Sequence, residues 1–215
     1  MPKTKGLQYD ETWFLQHEKA WDATLRPWLE DTFHRDGFLR LLEIGSYEGL
    51  SGAWLLENAL EICPAGTRSG FVHLTCVDAW PGPEYQSMRK KCEHNLRQVC
   101  TRFAAAPTCH TIYAVPSQEV LPTFPSDRFN FIYVDGSHKA DDVYADTLQA
   151  VRLVRPGGVI LWDDYCCLTT PGEEKEAVVA GVDRALAELG IDRAEVKEDF
   201  GHHLRWIKPR EDKRA

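Results

Sequence analysis

The chain lacks an excess of positive charge, and this absence excludes one large class of partners. Its 215 residues carry 25 Lys and Arg against 33 Asp and Glu, which gives a formal net charge of −8. Proteins that bind nucleic acid neutralise phosphates with Lys and Arg. We therefore expect no nucleic-acid partner, although a small molecule that contains a nucleobase stays open.

Long hydrophobic runs are also missing. No apolar stretch approaches the roughly 20 residues that a membrane-spanning helix needs. The first six residues are polar and are followed by charged ones, which is unlike a secretory signal peptide. We expect a cytoplasmic location and no membrane contact. Hydrophobic residues make up 43% of the chain and charged residues 27%, which is typical of a soluble α/β domain with an ample core.

The cysteines form neither a disulfide framework nor a recognisable zinc motif. There are seven of them, an odd number, and no C-x-x-C pair. Cys92, His94, Cys100, Cys109 and His110 lie close in sequence, but their spacings match no standard finger or ribbon. We interpret the cysteines as mostly reduced core thiols.

What the chain does contain, from Phe38 onward, is an alternation of predicted strands and helices. The predicted strands are Phe38–Ile44, Phe71–Val77, Cys109–Tyr113, Phe129–Val134 and Val159–Trp162. The predicted helices run to about Leu60 and then over 84–103, 116–121, 139–154 and 173–189, and Pro156-Gly157-Gly158 is a predicted turn. This alternation indicates βαβ units in a mostly parallel sheet. Two last strands, 195–197 and 204–208, are joined through Phe200-Gly201 too tightly for a crossover helix, which predicts an antiparallel hairpin.

The first 36 residues are predicted to form a helical extension ahead of a domain over 37–215. Three tryptophans, Trp13, Trp21 and Trp28, lie in the helical stretch 11–34. Pro27 should kink or divide this helix, because proline cannot donate the helical hydrogen bond. The aromatic side chains have two interpretations. The helix packs on the sheet as ordinary core, or it covers an active site and supplies aromatic walls to it.

A glycine turn follows the first predicted strand and carries the strongest functional signal. Glu43 enters the turn, and Gly45 and Gly49 would let a ligand approach the backbone, because neither has a Cβ. The pattern Glu-x-Gly-x-x-x-Gly differs from the phosphate-binding G-x-G-x-x-G, which disfavours a nicotinamide dehydrogenase. A carboxylate at this position would repel a pyrophosphate and would suit a cationic ligand.

Polar residues follow the second and third predicted strands. Asp78 closes the second strand, where a carboxylate can accept both hydroxyls of a ribose. The alternative is that Asp78 caps a helix or is a solvated loop acid. Ser117 follows the third strand, and either caps the next helical turn or contributes to an adenine pocket.

Three carboxylates and one histidine follow the fourth and fifth predicted strands, whose ends should be neighbours in a parallel sheet. Asp135, Asp163 and Asp164 would repel one another unless a cation or protons compensate, and Mg²⁺ binds to few carboxylates plus water and substrate oxygens. Alternatively, one of the later pair caps a loop and Asp135 faces a cofactor. His138 could accept a proton near pH 7, or it could simply start a helix. The remaining histidines are predicted to be structural or surface residues: His17, His34, His73, His94, His110, His202 and His203.

Taken together, these segments resemble the class I methyltransferases that use S-adenosylmethionine (SAM). The matching segments are Leu42–Ser51, Cys76–Asp78, Phe131–His138 and Leu153–Tyr165. The resemblance is to the compact bacterial and fungal type, similar to the macrocin and cephamycin-pathway O-methyltransferases and more distantly to catechol O-methyltransferase. It implies a Rossmann-like α/β fold with a mostly parallel seven-stranded sheet and a C-terminal antiparallel hairpin.

The resemblance also implies a site. SAM contacts would fall on Glu43, Gly45, Ser46, Gly49, Asp78 for the ribose, Ser117 near the adenine, and Asp135. The metal ligands would be Asp135, Asp163 and Asp164, with His138 as general base. The N-terminal segment departs from catechol O-methyltransferase, so catechol specificity does not carry over.

The sequence therefore favours methyl transfer to a small-molecule acceptor, at a hydroxyl oxygen, with help from Mg²⁺ or another divalent cation. Four aromatic side chains are candidates for an acceptor wall that suits an aromatic or polyketide-like natural product: Trp13, Trp80, Trp162 and Tyr165. The N-terminal helix could support a homodimer. Two alternatives remain, a metal-independent N-methyltransferase and a non-catalytic SAM-binding module.

Overall fold

Alternating strands and helices dominate the computed structural model, which describes residues 6–64, 71–104, 109–165, 172–199 and 203–210. Within these residues the strands are β1 (Leu39–Ile44), β2 (Val72–Val77), β3 (His110–Tyr113), β4 (Phe129–Val134), β5 (Val154–Trp162), β6 (Lys197–Asp199) and β7 (His203–Ile207). The α-helices are α1 (Glu18–Asp36), α2 (Leu50–Ile62), α3 (Gln86–Arg102), α4 (Ser117–Val120), α5 (Ala140–Leu153) and α6 (Gly172–Glu188). Short 3₁₀ helices include Trp13–Gln16, Pro83–Tyr85 and Arg193–Glu195.

The described strands form one seven-stranded sheet in the order β3-β2-β1-β4-β5-β7-β6. The pairs β1–β2, β2–β3 and β4–β5 are parallel, whereas β7 runs antiparallel to both β5 and β6. The predicted mostly parallel sheet with a C-terminal hairpin is confirmed. The first hairpin strand begins at Lys197 rather than at 195, because Asp192 accepts a hydrogen bond from the Ala194 amide and starts a 3₁₀ turn there. The predicted Phe200-Gly201 connection lies outside the described residues.

The chain divides into two compact units, Met1–Pro116 and Ser117–Ala215. In the first unit, α1 lies against α2 and β1. Trp21 is fully buried and packs edge-to-face on Trp54 of α2, with ring centroids 5.3 Å apart. Phe14 packs on Trp21 in the same way at 4.9 Å. The middle of the N-terminal extension is therefore ordinary core, as one of the two interpretations predicted.

Helix α1 runs without interruption through Pro27 and ends at Gly37, whose φ is 76° and whose N–H donates to Phe33. Of the two predicted effects of Pro27, a kink or a division of the helix, the division is wrong. Proline removes one helical hydrogen bond, but Leu25 and Leu29 on either side are buried. Their burial holds both halves of the helix in place.

In the second unit, all six residues of β4 are buried, and β5 starts earlier than predicted. The predicted turn Pro156-Gly157-Gly158 lies inside β5 as an irregularity, with Gly157 at φ +78° and a shift in the β4–β5 register. A Cβ on Gly158 would lie 2.7 Å from the Asn130 carbonyl oxygen. Glycine thus lets two backbones approach here, which a turn prediction does not anticipate. No helix in the described part of the chain is long and apolar enough to cross a membrane.

Candidate active site

The glycine turn between β1 and α2 is built from left-handed residues. Gly45 has φ +87° and donates its N–H to the Val77 carbonyl at 2.8 Å. Gly49 has φ +75° and stands at the start of α2, where a Cβ would lie 3.0 Å from the Cα of Cys92. Tyr47 has φ +44°, a strained value for a residue with a side chain. The two glycines of the motif are therefore required by backbone geometry.

Glu43 lies beneath this turn, fully buried. One of its carboxylate oxygens accepts a hydrogen bond from the Ser51 hydroxyl at 2.5 Å, and the other lies 3.5 Å from the Cys76 thiol. A Cβ on Gly52 would come within 2.7 Å of the same carboxylate. Burial raises the pKa of Glu43 to about 7, an effect that the hydrogen bond from Ser51 partly offsets. Glu43 thus supports the turn from below.

This raised pKa predicts a pH-dependent stability. The folded-state pKa of Glu43, about 7, exceeds its ordinary value of 4.5, so the native state binds the extra proton between these pH values. The free energy of unfolding should therefore fall as pH rises from about 4.5 through 7, by up to about 3 kcal/mol from this group. Burial also raises the pKa of Asp146, to about 6, which acts in the same direction. We expect Glu43→Gln to remove much of this slope in urea unfolding at pH 5, 6, 7 and 8.

The matched control for that measurement is Glu119→Gln, because Glu119 is an exposed acid on α4. It should keep the slope of the unmodified protein. A Glu43→Gln protein whose stability falls between pH 5 and 8 as steeply as the control would contradict the assignment of the slope to Glu43.

Asp78 joins the glycine turn to the loop after β2. Its Oδ2 atom accepts the backbone N–H groups of Ser46 and Tyr47 at 3.0 and 2.9 Å, and its Oδ1 atom accepts that of Trp80 at 2.9 Å. Trp80 is buried and donates its indole N–H to the Tyr47 carbonyl at 2.9 Å. A carboxylate offers about four lone-pair positions, and donors from the described residues fill three of those on the half-buried Asp78. Asp78 bridges two loops, and its ribose role remains a prediction.

Glu48 is a site residue that sequence reasoning missed. Its side chain is buried, and Oε2 accepts the backbone N–H groups of Asp10 and Glu11 at 2.8 and 3.1 Å. Lys91 of α3 pairs with Glu48 at 2.6 Å and with Asp10 at 2.5 Å. The segment before α1 is thus tied to the glycine turn. The only available signal was the position of Glu48 within the glycine motif.

The same segment carries an exposed aromatic ring. Trp13 is 61% exposed and stacks on Tyr47 with ring centroids 5.5 Å apart. The other aromatic candidates for an acceptor wall are buried. Trp162 donates its indole N–H to Thr147 at 3.0 Å, and the Tyr165 hydroxyl donates to Asp183 at 2.7 Å. The structure therefore assigns Trp162 and Tyr165 to packing, which does not support them as an open wall.

In the second unit, Asp135, His138 and Asp164 come together. Asp135 directly follows β4 and Asp164 lies just after β5. One ligand atom from each of the three residues lies within 4.8 Å of the others, and each residue is half-buried. The Nε2 atom of His138 is 3.1 Å from a carboxylate oxygen of Asp164. The predicted convergence of side chains at these strand ends is thus observed for three residues.

Asp163 is not part of this cluster. Its Oδ2 atom accepts the Tyr133 hydroxyl at 2.6 Å, and its Oδ1 atom accepts the Asp164 backbone N–H at 2.9 Å and lies 3.2 Å from Nε2 of His203. His203 on β7 is fully buried, so it is a core partner of Asp163. The role of Asp163 as a metal ligand stays a prediction that this geometry does not support, because both of its oxygens already have partners.

Ser117 begins α4, and its hydroxyl donates to Asp146 at 2.5 Å, with both residues buried. The structure therefore gives this hydroxyl a partner in α5. The contact with adenine stays a prediction.

The comparisons with known proteins agree with this architecture. Residues 42–165, more than half of the chain, match a family described as a methyltransferase domain. A provisionally named O-methyltransferase of Mycolicibacterium vanbaalenii is 30% identical over 125 residues, which cover 58% of this chain and 46% of that protein. A similarly named protein of Mycobacterium sp. (strain JLS) is 28% identical over 121 residues, or 56% of this chain and 46% of that one. The chain spans about half the length of these curated relatives.

Solved structures share the fold. The O-methyltransferase NovP superposes with a TM-score of 0.65 at 16% identity, over 90% of this chain and 80% of that one. TomG of Streptomyces achromogenes, an O-methyltransferase of tomaymycin synthesis in complex with SAM, has a TM-score of 0.54 at 19% identity, over 95% and 93% of the two chains. With its glycine turn, its sheet order and the family match over 42–165, the chain belongs to the class I SAM-dependent methyltransferases.

Proposed function

We propose that this protein transfers the methyl group of SAM to a hydroxyl oxygen of a small-molecule acceptor. The observation that carries the proposal is the cluster of Asp135, His138 and Asp164, with the His138 imidazole 3.1 Å from the Asp164 carboxylate. In a chain with the methyltransferase glycine turn, such a cluster offers what an oxygen acceptor needs, a base and negative charge to orient it.

The residues of the first unit fit SAM by their chemistry. When bound, SAM supplies an electrophilic methyl group on a cationic sulfonium. Gly45 and Gly49 let the backbone approach the ligand, and the fourth lone-pair position of Asp78 would suit a ribose hydroxyl. The buried Glu43 carboxyl, with its pKa near 7, would be held ionised by a cation bound at the turn. Ser46 would contribute to SAM binding through its position in the glycine turn.

His138 would accept the proton of the acceptor hydroxyl. Asp164 orients the imidazole through the 3.1 Å contact and stabilises the positive charge that it acquires. General-base catalysis of this kind contributes about 10²–10⁴-fold. Holding the acceptor at attack distance can lower the activation barrier by about 7–11 kcal/mol more.

Asp135 and Asp164 would hold a divalent cation, because Mg²⁺ prefers carboxylate oxygens and keeps part of its water shell. Such an ion, when bound, would lower the pKa of the acceptor hydroxyl and orient its oxygen. We assign the imidazole of His138 to the proton rather than to the ion, since nitrogen is a poor ligand for Mg²⁺. Asp163 is left out of this set because one of its oxygens accepts the Tyr133 hydroxyl and the other accepts the Asp164 backbone N–H and lies 3.2 Å from the Nε2 atom of His203.

The segment ahead of the methyltransferase domain, residues 1–36, would act as an active-site cover at the glycine turn. It is tied to Glu48 of the glycine turn, and its exposed Trp13 stacks on Tyr47. An exposed aromatic platform suits a flat, aromatic or natural-product-like acceptor.

A metal-independent methyltransferase is the second candidate, because the contact between His138 and Asp164 can orient the imidazole without an ion. Removing the metal separates the two candidates. If Asp135 and Asp164 hold a catalytic ion, EDTA should lower turnover of hydroxylated aromatic acceptors at least about tenfold, and Mg²⁺ should restore it. Unchanged turnover after EDTA would favour the metal-independent mechanism.

The proposed function is tested first by calorimetric titration with S-adenosylhomocysteine, with and without Mg²⁺. We expect micromolar binding, and an additional Mg²⁺ binding heat that Asp164→Asn removes while the nucleoside affinity is kept. A folded protein that binds no S-adenosylhomocysteine would contradict the proposal.

A further inference from the structure

Two cysteines and a histidine meet at the end of α3, and none of them belongs to the candidate active site. Cys100 lies in the last turn of α3, Cys109 directly precedes β3, and His110 begins that strand. The two sulfur atoms are 2.7 Å apart, and Nδ1 of His110 is 3.3 Å from the sulfur of Cys100. Both thiols are buried, whereas His110 is only half-buried.

This geometry suits a bond between the sulfurs better than a shared metal ion. Tetrahedral zinc with sulfurs at about 2.3 Å would hold them about 3.8 Å apart. The observed 2.7 Å is much shorter than that and is closer to the roughly 2.0 Å of a disulfide. In the described residues the cluster also supplies three ligands, one fewer than a closed structural zinc site.

We propose that Cys100 and Cys109 form an oxidisable dithiol, which a small two-electron oxidant such as hydrogen peroxide converts reversibly into an intramolecular disulfide. The Cys100 thiolate attacks one peroxide oxygen, the O–O bond breaks, and a sulfenic acid and hydroxide form. The Cys109 sulfur then attacks the Cys100 sulfur, and its S–O bond breaks with loss of a second hydroxide. The two thiol protons convert both hydroxides to water, so two thiols and one peroxide give one disulfide and two waters.

Cys100 is the thiol that attacks the peroxide in the first step. The hydrogen bond shared with Cys109, together with the nearby His110, lowers the pKa of Cys100, which favours the thiolate form of this sulfur. The same contact raises the pKa of Cys109, which keeps that sulfur protonated until the second step. One thiolate beside one thiol is the arrangement that peroxide oxidation followed by disulfide closure requires.

The disulfide would join the end of α3 to the start of β3. Helix α3 also carries Lys91 and Asn95, which bind the side chain and the carbonyl of Glu48 in the glycine turn. Oxidation would therefore fasten the helix that supports this turn. The proposal does not depend on methyl transfer, and its test does not require an acceptor.

The test treats the intact protein with a few equivalents of hydrogen peroxide, blocks the remaining thiols and digests with trypsin. Cleavage after Arg97, Arg102 and Arg128 separates the two cysteines into peptides 98–102 and 103–128. We expect these peptides to appear as one linked species that dithiothreitol separates. The oxidised protein should melt about 5 °C higher, because the bond closes a short loop of the unfolded chain.

Cys100→Ser and Cys109→Ser should each abolish the linked species and the shift in melting temperature. Cys63→Ser is the matched control, because Cys63 is also a buried cysteine outside any disulfide, and it should keep both the linked species and the shift. His110→Gln should slow disulfide formation about tenfold and leave the product unchanged, since it raises the thiol pKa without removing a sulfur. Three results would each overturn the proposal: unlinked peptides after oxidation, linkage between two protein molecules, or stoichiometric zinc binding that Cys100→Ser removes.

Discussion

Replacing Asp78 by alanine is expected to lower the affinity for S-adenosylhomocysteine by about 100-fold or more. The carboxylate accepts three backbone N–H groups, from Ser46, Tyr47 and Trp80, and these would lose their acceptor. Hydrogen bonds to a charged group contribute about 1.5–3 kcal/mol each, so their loss would loosen the glycine turn in addition to removing the proposed ribose contact. Calorimetric titration of the variant measures the change directly.

Two further variants make the Asp78 result specific. Asp141→Asn removes a carboxylate whose side chain is 87% exposed and which pairs with Arg184, and it should change the affinity less than about twofold. Asp78→Asn keeps one acceptor oxygen and should fall between the unmodified protein and Asp78→Ala. An Asp78→Ala protein that is folded and binds as tightly as Asp141→Asn would contradict the role of this carboxylate.

Replacing His138 by alanine is expected to lower the rate of methyl transfer by about 10²–10⁴-fold while leaving the affinity for S-adenosylhomocysteine unchanged. The imidazole lies 3.1 Å from Asp164, and no other histidine belongs to this cluster in the described residues. Without it, the proposed mechanism loses the one imidazole that the described cluster offers to the acceptor proton. Initial rates with a hydroxylated acceptor, compared with nucleoside binding by calorimetry, separate the chemical step from cofactor binding.

The matched control is His34→Gln, in the last turn of α1, which should keep the full rate. Asp164→Asn should lower the rate while sparing cofactor affinity, because it removes the charge that stabilises the protonated imidazole. If His138→Ala weakened S-adenosylhomocysteine binding as much as it slowed turnover, the residue would serve cofactor binding and the assignment as base would fail.

The sequence alone predicted the order of the elements and the position of the glycine turn. Both depend on short stretches of chain. The continuous apolar residues of β4 indicate a strand that is buried on both faces. Gly45 and Gly49 predicted a glycine turn between a strand and a helix, and both glycines have positive φ values in that turn. The hairpin of β6 and β7 followed from a connection too short for a helix.

Tertiary contacts decided several features that these local patterns left open. Helix α1 continues through Pro27 because buried leucines flank it, and Pro156-Gly157-Gly158 lies within a strand because another backbone packs against Gly158. Neither the burial of these leucines nor the approach of the second backbone can be inferred from the residues adjacent in sequence.

The same distinction holds for the candidate site: the sequence predicted some of its features, and the tertiary structure decided the others. Residue types and strand ends predicted that Asp135, His138, Asp163 and Asp164 would meet, and the structure brings together three of them, without Asp163. The difference between the adjacent Asp163 and Asp164 was decided by Tyr133 and His203, which lie far from them in the chain. The spacing of residues predicts which side chains lie at one edge of a sheet. The partner of each carboxylate there depends on which distant residues fold against it.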